Sequence, residues 1–280
     1  MSKGTELVKI EFRGCKFFVN EKPGKFEKDL FVVMSILDKD ELTMADRFQL
    51  LNAYKTSFHD SGKIEGVTSL DSTATNCEFC QKIRVANKDN ELCICNGCYD
   101  LTQESYRLNV LNRHSLNMLI MSTVEFTVDE IRTLNVTPIV RVNSSGDTPN
   151  LTYARNMVKV AIAFPWARVG YWAKNTAPII TACDDLGKPE NLVLVQSSCN
   201  IGKPAKLQKY FDYVFTVYPD KETTENAIEN GASACNGKKC RDCGYKCYFG
   251  NHSGNGNIAE ILRGMSKDKV AAIKSKLAEN

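Results

Sequence analysis

Nine of the twelve cysteines in this 280-residue chain fall in two short stretches. Cys77, Cys80, Cys93, Cys95 and Cys98 form the first, and Cys235, Cys240, Cys243 and Cys247 form the second. Thiols grouped this closely either hold a metal or pair with one another. The start, MSKGTELVKIEFRG, is polar and strand-like, with no apolar leader, so a cytosolic chain is expected. Thiols stay reduced there, and grouped cysteines then read as metal ligands or redox groups. A chain of this length buries a sizeable core without covalent staples.

Spacing narrows the metal. The first group contains C-x2-C twice, Cys77–Cys80 and Cys95–Cys98, with fourteen residues between. That is zinc-ribbon spacing, with Cys93 left over. The same thiols support a three-thiolate [4Fe–4S] site: Cys95 and Cys98, followed by Tyr99, with a third ligand from Cys80, Cys77 or Cys93. Three thiolates leave one iron open to a small molecule. The second group reads C-x4-C-x2-C-x3-C, and its first three positions have the spacing of plant-type ferredoxins, although Cys247 follows too soon for that pattern. Four close thiols suit a fully ligated [4Fe–4S] cluster or a zinc ion. Lys238, Lys239, Arg241 and Lys246 lie among them and are expected to offset thiolate charge; His252 is a further nitrogen donor.

Other chemistries have little footing. There is no P-loop, no dinucleotide glycine fingerprint and no Ser-His-Asp order. A net charge of +3 with a pI near 8.2 does not support a nucleic-acid partner, which needs a concentrated basic stripe. No run of eighteen apolar residues exists, so no membrane partner is expected. Cys15, Cys183 and Cys199 read as small core residues, the last two beside strand ends where either could line a pocket. His114 sits in a helical pattern and reads as structural.

The elements that must position these groups are legible in part. Residues 6–20 alternate and predict a hairpin turning at Arg13–Gly14. Residues 40–57 predict a helix capped by Asp38 or Asp40; residues 60–75 read as a loop with one short strand. A long helix over 100–121 and a short one over 127–135, capped by Thr127, follow. Residues 137–143, 168–173, 191–196 and 213–218 then read as short apolar strands, with a helix over 150–164. Strands alternating with crossovers predict an α/β fold with a buried parallel sheet, either doubly wound or a partial (β/α) barrel. Function gathers at the carboxyl ends of such strands. Those ends carry Ser144-Ser145-Gly146-Asp147, Lys174-Asn175, Ser197-Ser198-Cys199 and Pro219-Asp220. Residues 251–257 read as a flexible loop.

The order of cysteine loop ending Cys98-Tyr99, helix, and strand ending Ser145-Gly146-Asp147-Thr148-Pro149 resembles the radical S-adenosylmethionine (SAM) superfamily. The chain is more closely similar to the uncharacterised "gene product eighty-eight" proteins of phages and anaerobic bacteria. Phe79-Cys80-Gln81-Lys82, Ile94-Cys95-Asn96-Gly97-Cys98-Tyr99, Gly170-Tyr171-Trp172-Ala173-Lys174 and the cysteine run ending in Tyr248 carry that likeness across roughly residues 70–265. The usual radical SAM spacing is C-x3-C-x2-C, whereas the first gap here is fourteen residues. The resemblance implies a partial (β/α) barrel over 71–225, an N-terminal hairpin and helix extension over 1–70, and a Cys-rich segment with a final helix over 226–280. It implies a [4Fe–4S] cluster on Cys80, Cys95 and Cys98, with Cys77 and Cys93 extra. SAM would be contacted by Ser145, Gly146 and Asp147, with Tyr99 and Lys174 beside it. An auxiliary site would lie on Cys235, Cys240, Cys243 and Cys247. It further implies an unknown substrate, reductive SAM cleavage and an electron donor such as a flavodoxin or ferredoxin. A zinc-stabilised binding protein, with a nucleic-acid or host-protein partner, and an electron carrier with closed clusters are the alternatives.

Overall fold

The computed structural model describes residues 7–235, 239–262 and 267–278. The chain opens with the expected hairpin: β1 (Leu7–Phe12) pairs antiparallel with β2 (Cys15–Asn20). Its turn holds Arg13 and Gly14 at φ +47° and +77°, the left-handed pair whose twist suits a two-residue hairpin. Two helices follow, α1 (Lys25–Leu37) and α2 (Met44–Ala53). The cap of α2 is Thr43, not Asp38 or Asp40. Its hydroxyl accepts from Asp46 N, and the Asp46 carboxylate accepts from Thr43 N at 3.0 Å, a reciprocal pairing that neither aspartate upstream could make.

Next come β3 (Ser57–Phe58), β4 (Thr68–Leu70), α3 (Glu78–Ala86) and a 3-10 turn at Ile94–Gly97. The stretch expected as one helix from 100 is two, α4 (Tyr99–Tyr106) and α5 (Leu108–Thr123). Arg107, at φ −115° and ψ 72°, breaks them apart. Thr127 caps α6 (Val128–Ile131) as expected, but the helix is one turn rather than nine residues.

The repeating part is β5 (Ile139–Val142), α7 (Leu151–Ala163), β6 (Arg168–Ala173), α8 (Ala177–Leu186), β7 (Leu192–Ser197), β8 (Tyr213–Tyr218) and α9 (Lys221–Glu229). The chain continues with β9 (Ser233–Ala234), a 3-10 turn at Cys240–Cys243, α10 (Lys246–Phe249), β10 (Asn257–Ile261) and α11 (Lys267–Ala278). The loop expected over 251–257 therefore runs directly into a strand.

Eight strands form one sheet in the order β3-β4-β5-β6-β7-β8-β10-β9, and every neighbouring pair except β3–β4 is parallel. Among the described residues β3 and β9 are its edges, so closure into a barrel is not seen. The hairpin and the strands β3 and β4, expected as an extension through residue 70, are built into the body. β3 and β4 belong to the sheet, and Phe17, Leu30 and Leu50 share one buried cluster with Tyr153 and Tyr171. No described helix is long and apolar enough to cross a membrane.

Strand alternation assigns each face a different cover. Val140, Val142, Val169, Tyr171, Leu192 and Leu194 point into the cluster made with α5, α7, α8 and the N-terminal elements. Trp172, Val193, Val195, Tyr213 and Ile258 point the other way, where the Cys-rich segment covers them with Tyr245, Cys247 and Tyr248. Tyr248 is fully buried there, its ring 5.3 Å from Trp172. Gly170 makes room for both: an added Cβ would stand 2.5 Å from the Trp172 ring and 2.9 Å from Tyr248.

Candidate functional site

The carboxyl ends of β4 and β5 are locked together by buried polar groups. β4 runs into Asp71, Ser72 and Thr73, all buried. One Asp71 oxygen accepts from Ser144 N (2.8 Å), Ser144 Oγ (2.5 Å) and Ser145 N (3.0 Å). Ser72 Oγ donates to the Asp147 carbonyl at 2.7 Å. Gly146 lies against Ser72 with φ +76°, and an added Cβ would fall 2.2 Å from Ser72 Oγ and 2.6 Å from its carbonyl. The close approach expected of this glycine is therefore made to the protein's own backbone. Beneath it, Glu104 accepts from Thr73 Oγ1 (3.0 Å) and Thr75 N (2.9 Å). His114 sits between carboxylates, 3.6 Å from Glu104 and 4.0 Å from Asp71. Burial opposes its charging, but these carboxylates outweigh burial and raise its pKa.

Above this platform lies a cavity of about 40 Å³. Cys80 from α3, Cys95 from the 3-10 turn, Cys98 at the cap of α4, Asp100, Gly146, Asp147 and Lys174 all line it. Three thiols from separate segments thus meet the strand ends of β5 and β6. Burial works against the charge of Lys174, but the thiols of Cys95, Cys80 and Cys98 and the Asp147 carboxylate raise its pKa. Asp147 is raised by burial, and its carboxylate accepts from Thr148 N (2.7 Å), Lys174 N (3.0 Å) and Asn175 N (3.3 Å). It is committed to backbone donors. Asp100, pushed up to about 6 by burial, accepts among the described residues only from Gly146 N at 3.3 Å. Ser145 does not line the cavity; its N–H donates to Asp71. Tyr99 is 72% exposed and does not line the cavity.

Cys77 and Cys93 are buried and stand behind their neighbours. Cys77 neighbours Cys80, and Cys93 neighbours Cys95. Cys199, just past the end of β7, is the other thiol beside Cys95, and that neighbour lowers its pKa to about 7. A larger groove of about 710 Å³ between the hairpin, α1 and α5 is lined by residues including Phe18, Glu27, Arg113 and His114, and contains no cysteine.

The second thiol group lies on the opposite face of the sheet. Burial raises the thiol of Cys247 to about 12, with Cys235, Cys240 and Cys243 adding to the shift. His252 Nε2 is 3.1 Å from Cys247 Sγ. The cations differ from those expected. Lys239 and Arg241 are spent on Glu65 (2.5 and 2.6 Å), Lys246 is exposed, and Lys238 lies outside the described residues. Arg141 of β5 faces Cys240 and Cys247 instead, stacked 4.1 Å over Trp172, and Lys63 faces Cys235.

All twelve cysteines are free thiols. Among the described residues, no three His, Cys, Asp or Glu side chains converge closely enough to grip one ion. A zinc ion draws its thiolates to about 2.3 Å from one point, and neither group is gathered to that degree. Cys80, Cys95 and Cys98 are instead distributed around their cavity.

Residues 32–269 match the model of the family described as Gene product 88. The chain belongs to the Gene product 88 family. No curated protein and no solved structure matches it. In this Gene product 88 chain, sequence reasoning found the cavity thiols, Gly146, Asp147 and Lys174, but missed Asp71, Glu104, Asp100 and Arg141. Asp71 follows a three-residue strand too short to carry a period, and Arg141 interrupts an apolar one. That interruption was the available signal: a cation inside a buried strand needs a reason.

Proposed function

We propose that this Gene product 88 protein is an iron–sulfur redox protein whose first cluster is held by Cys80, Cys95 and Cys98. One observation carries the reading: thiols from three segments surround a single cavity at the carboxyl ends of parallel strands, with Lys174 lining it beside them. The sequential order of β4 to β8 supports a partial (β/α) barrel as the parent of this sheet.

When bound, a reduced cluster supplies single electrons, which in radical SAM chemistry go to the sulfonium of SAM. The chain's own residues divide the remaining work. Lys174 balances thiolate charge. Asp100 is the cavity carboxyl with acceptor capacity left for a ligand ammonium, since Asp147 is occupied by three N–H groups. Tyr248 and Trp172 fill the sheet's other face and keep water from it. That filled face favours the second form of the reading, an electron carrier, because it leaves little room there for a substrate. Cys235, Cys240, Cys243 and Cys247 are proposed as an auxiliary iron–sulfur site, with zinc as the alternative occupant.

Purification without oxygen tests both forms. The expected product is a brown protein with iron and acid-labile sulfide. Reduction by flavodoxin or ferredoxin in the presence of SAM then either releases methionine and 5′-deoxyadenosine, which marks the enzyme, or leaves SAM intact, which marks the carrier. A colourless protein binding only zinc sinks the proposal.

A further inference from the structure

We propose that Cys199 is a fourth thiolate of the first cluster and closes the iron position that three cysteines would leave open. The proposal rests on the iron–sulfur reading above. Its geometry is independent of the cysteine spacing, because Cys199 lies a hundred residues from the first group. β7 is in register beside β6, with Gln196 opposite Ala173, so the chain leaves β7 next to Lys174. There it forms a short antiparallel bridge with the thiol loop: Ile94 N donates to the Cys199 carbonyl and Ile201 N to the Leu92 carbonyl, both at 2.8 Å, with Cys93 opposite Asn200. Backbone pairing of this kind is not needed to finish the sheet. It fixes Cys199 against the loop that carries Cys95 and Cys98.

The bridge is clamped from outside. Ile273 of α11 packs on Leu92 and Ile201, and Asn90 Nδ2 donates to Asn200 Oδ1 at 3.3 Å. The Cys199 thiol is half-buried and lies beside the Cys95 thiol, with Lys174 close to both. A thiol held by protein backbone on one side and by a ligand thiol and a cation on the other meets the demands of a ligand. Four thiolates around one cluster describe an electron-transfer centre, in which no iron is free to take the amino and carboxylate groups of SAM.

A cluster with three thiolates sheds its unligated iron under mild oxidation and gives the EPR signal of a [3Fe–4S] species; a four-thiolate cluster resists. The anaerobically purified full chain is therefore titrated with ferricyanide, with iron counted and EPR recorded. The wild type is expected to give no three-iron signal and the Cys199→Ser chain a strong one, with one iron lost per chain. Cys183→Ser, a buried thiol away from the cavity, controls for thiol loss and should match the wild type. A three-iron signal already present in the wild type overturns the assignment while leaving the iron–sulfur reading intact. So does a Cys199→Ser chain that matches the wild type. A wild type without iron, or with a Cys95–Cys199 disulfide in its place, overturns both. The wild-type titration decides the matter even if Cys199→Ser does not fold.

Discussion

Two side-chain positions separate what holds the strand ends together from what the cavity does. At Gly146, φ +76° and contact with Ser72 mean that Gly146→Ala adds backbone strain and a clash in one step. A loss of about 2–5 kcal/mol is expected, read as a lower urea midpoint in metal-free protein. Lys174 is different. In Lys174→Met the thiolates lose their nearby cation, so the fold is expected to survive while iron retained after gel filtration falls by roughly half or more. Lys174→Arg should restore part of it. Equal iron in all three proteins would remove Lys174 from the site. Both positions were legible in the sequence as strand ends. The reason for Gly146 was not, because the group it meets is Ser72, more than seventy residues earlier.

Among the elements, α2 and α6 are joined by a bidentate pair: Arg47 Nε and Nη2 donate to Glu130 at 2.5 and 2.8 Å. Arg47, helped by hydrogen bonds from Thr127, lowers the Glu130 pKa from the ordinary 4.5 to about 2. The unfolded chain therefore binds more protons than the native one between these values. The stabilisation is complete above about pH 4.5 and disappears as pH falls toward 2. Glu130→Gln should cost about 2–3 kcal/mol at neutral pH. Its urea midpoint should also fall less between pH 5 and pH 3 than that of the wild type, and parallel curves would refute the pairing. α10 supplies a second case. Tyr248→Ala empties a site between Trp172 and Gly170 and should cost about 3–5 kcal/mol. Tyr248→Phe keeps the ring and should cost only about 1 kcal/mol, since what it removes is a hydroxyl facing the Arg141 guanidinium. Chemical denaturation of the two variants side by side checks the contrast.

The whole molecule places its two thiol groups on different surfaces of one sheet, and α11 ties the chain's end to the first. Ile273 rests on Leu92 and Ile201, and Leu277 lies beside Gly202. A chain ended at residue 262 should keep its sheet but loosen the bridge beside Cys199. The amides of Ile94 and Ile201 are then expected to exchange with solvent at least tenfold faster, while those of β6 stay protected. Uniform loss of protection would mean that α11 holds the entire fold instead.

Read alone, the residues determined the strands β5 to β8 within about two positions, the parallel sheet, and the thiols at its carboxyl edge. Those signals are local, since apolar period and cysteine spacing survive without knowledge of neighbours. What only the tertiary structure decided is which groups face one another. Cys199 joins Cys95 across a hundred residues, Arg141 rather than Lys239 attends the second thiols, and Tyr248 fills the face left bare by the helices. Contacts between distant segments depend on register and crossover, and no one-dimensional pattern encodes either.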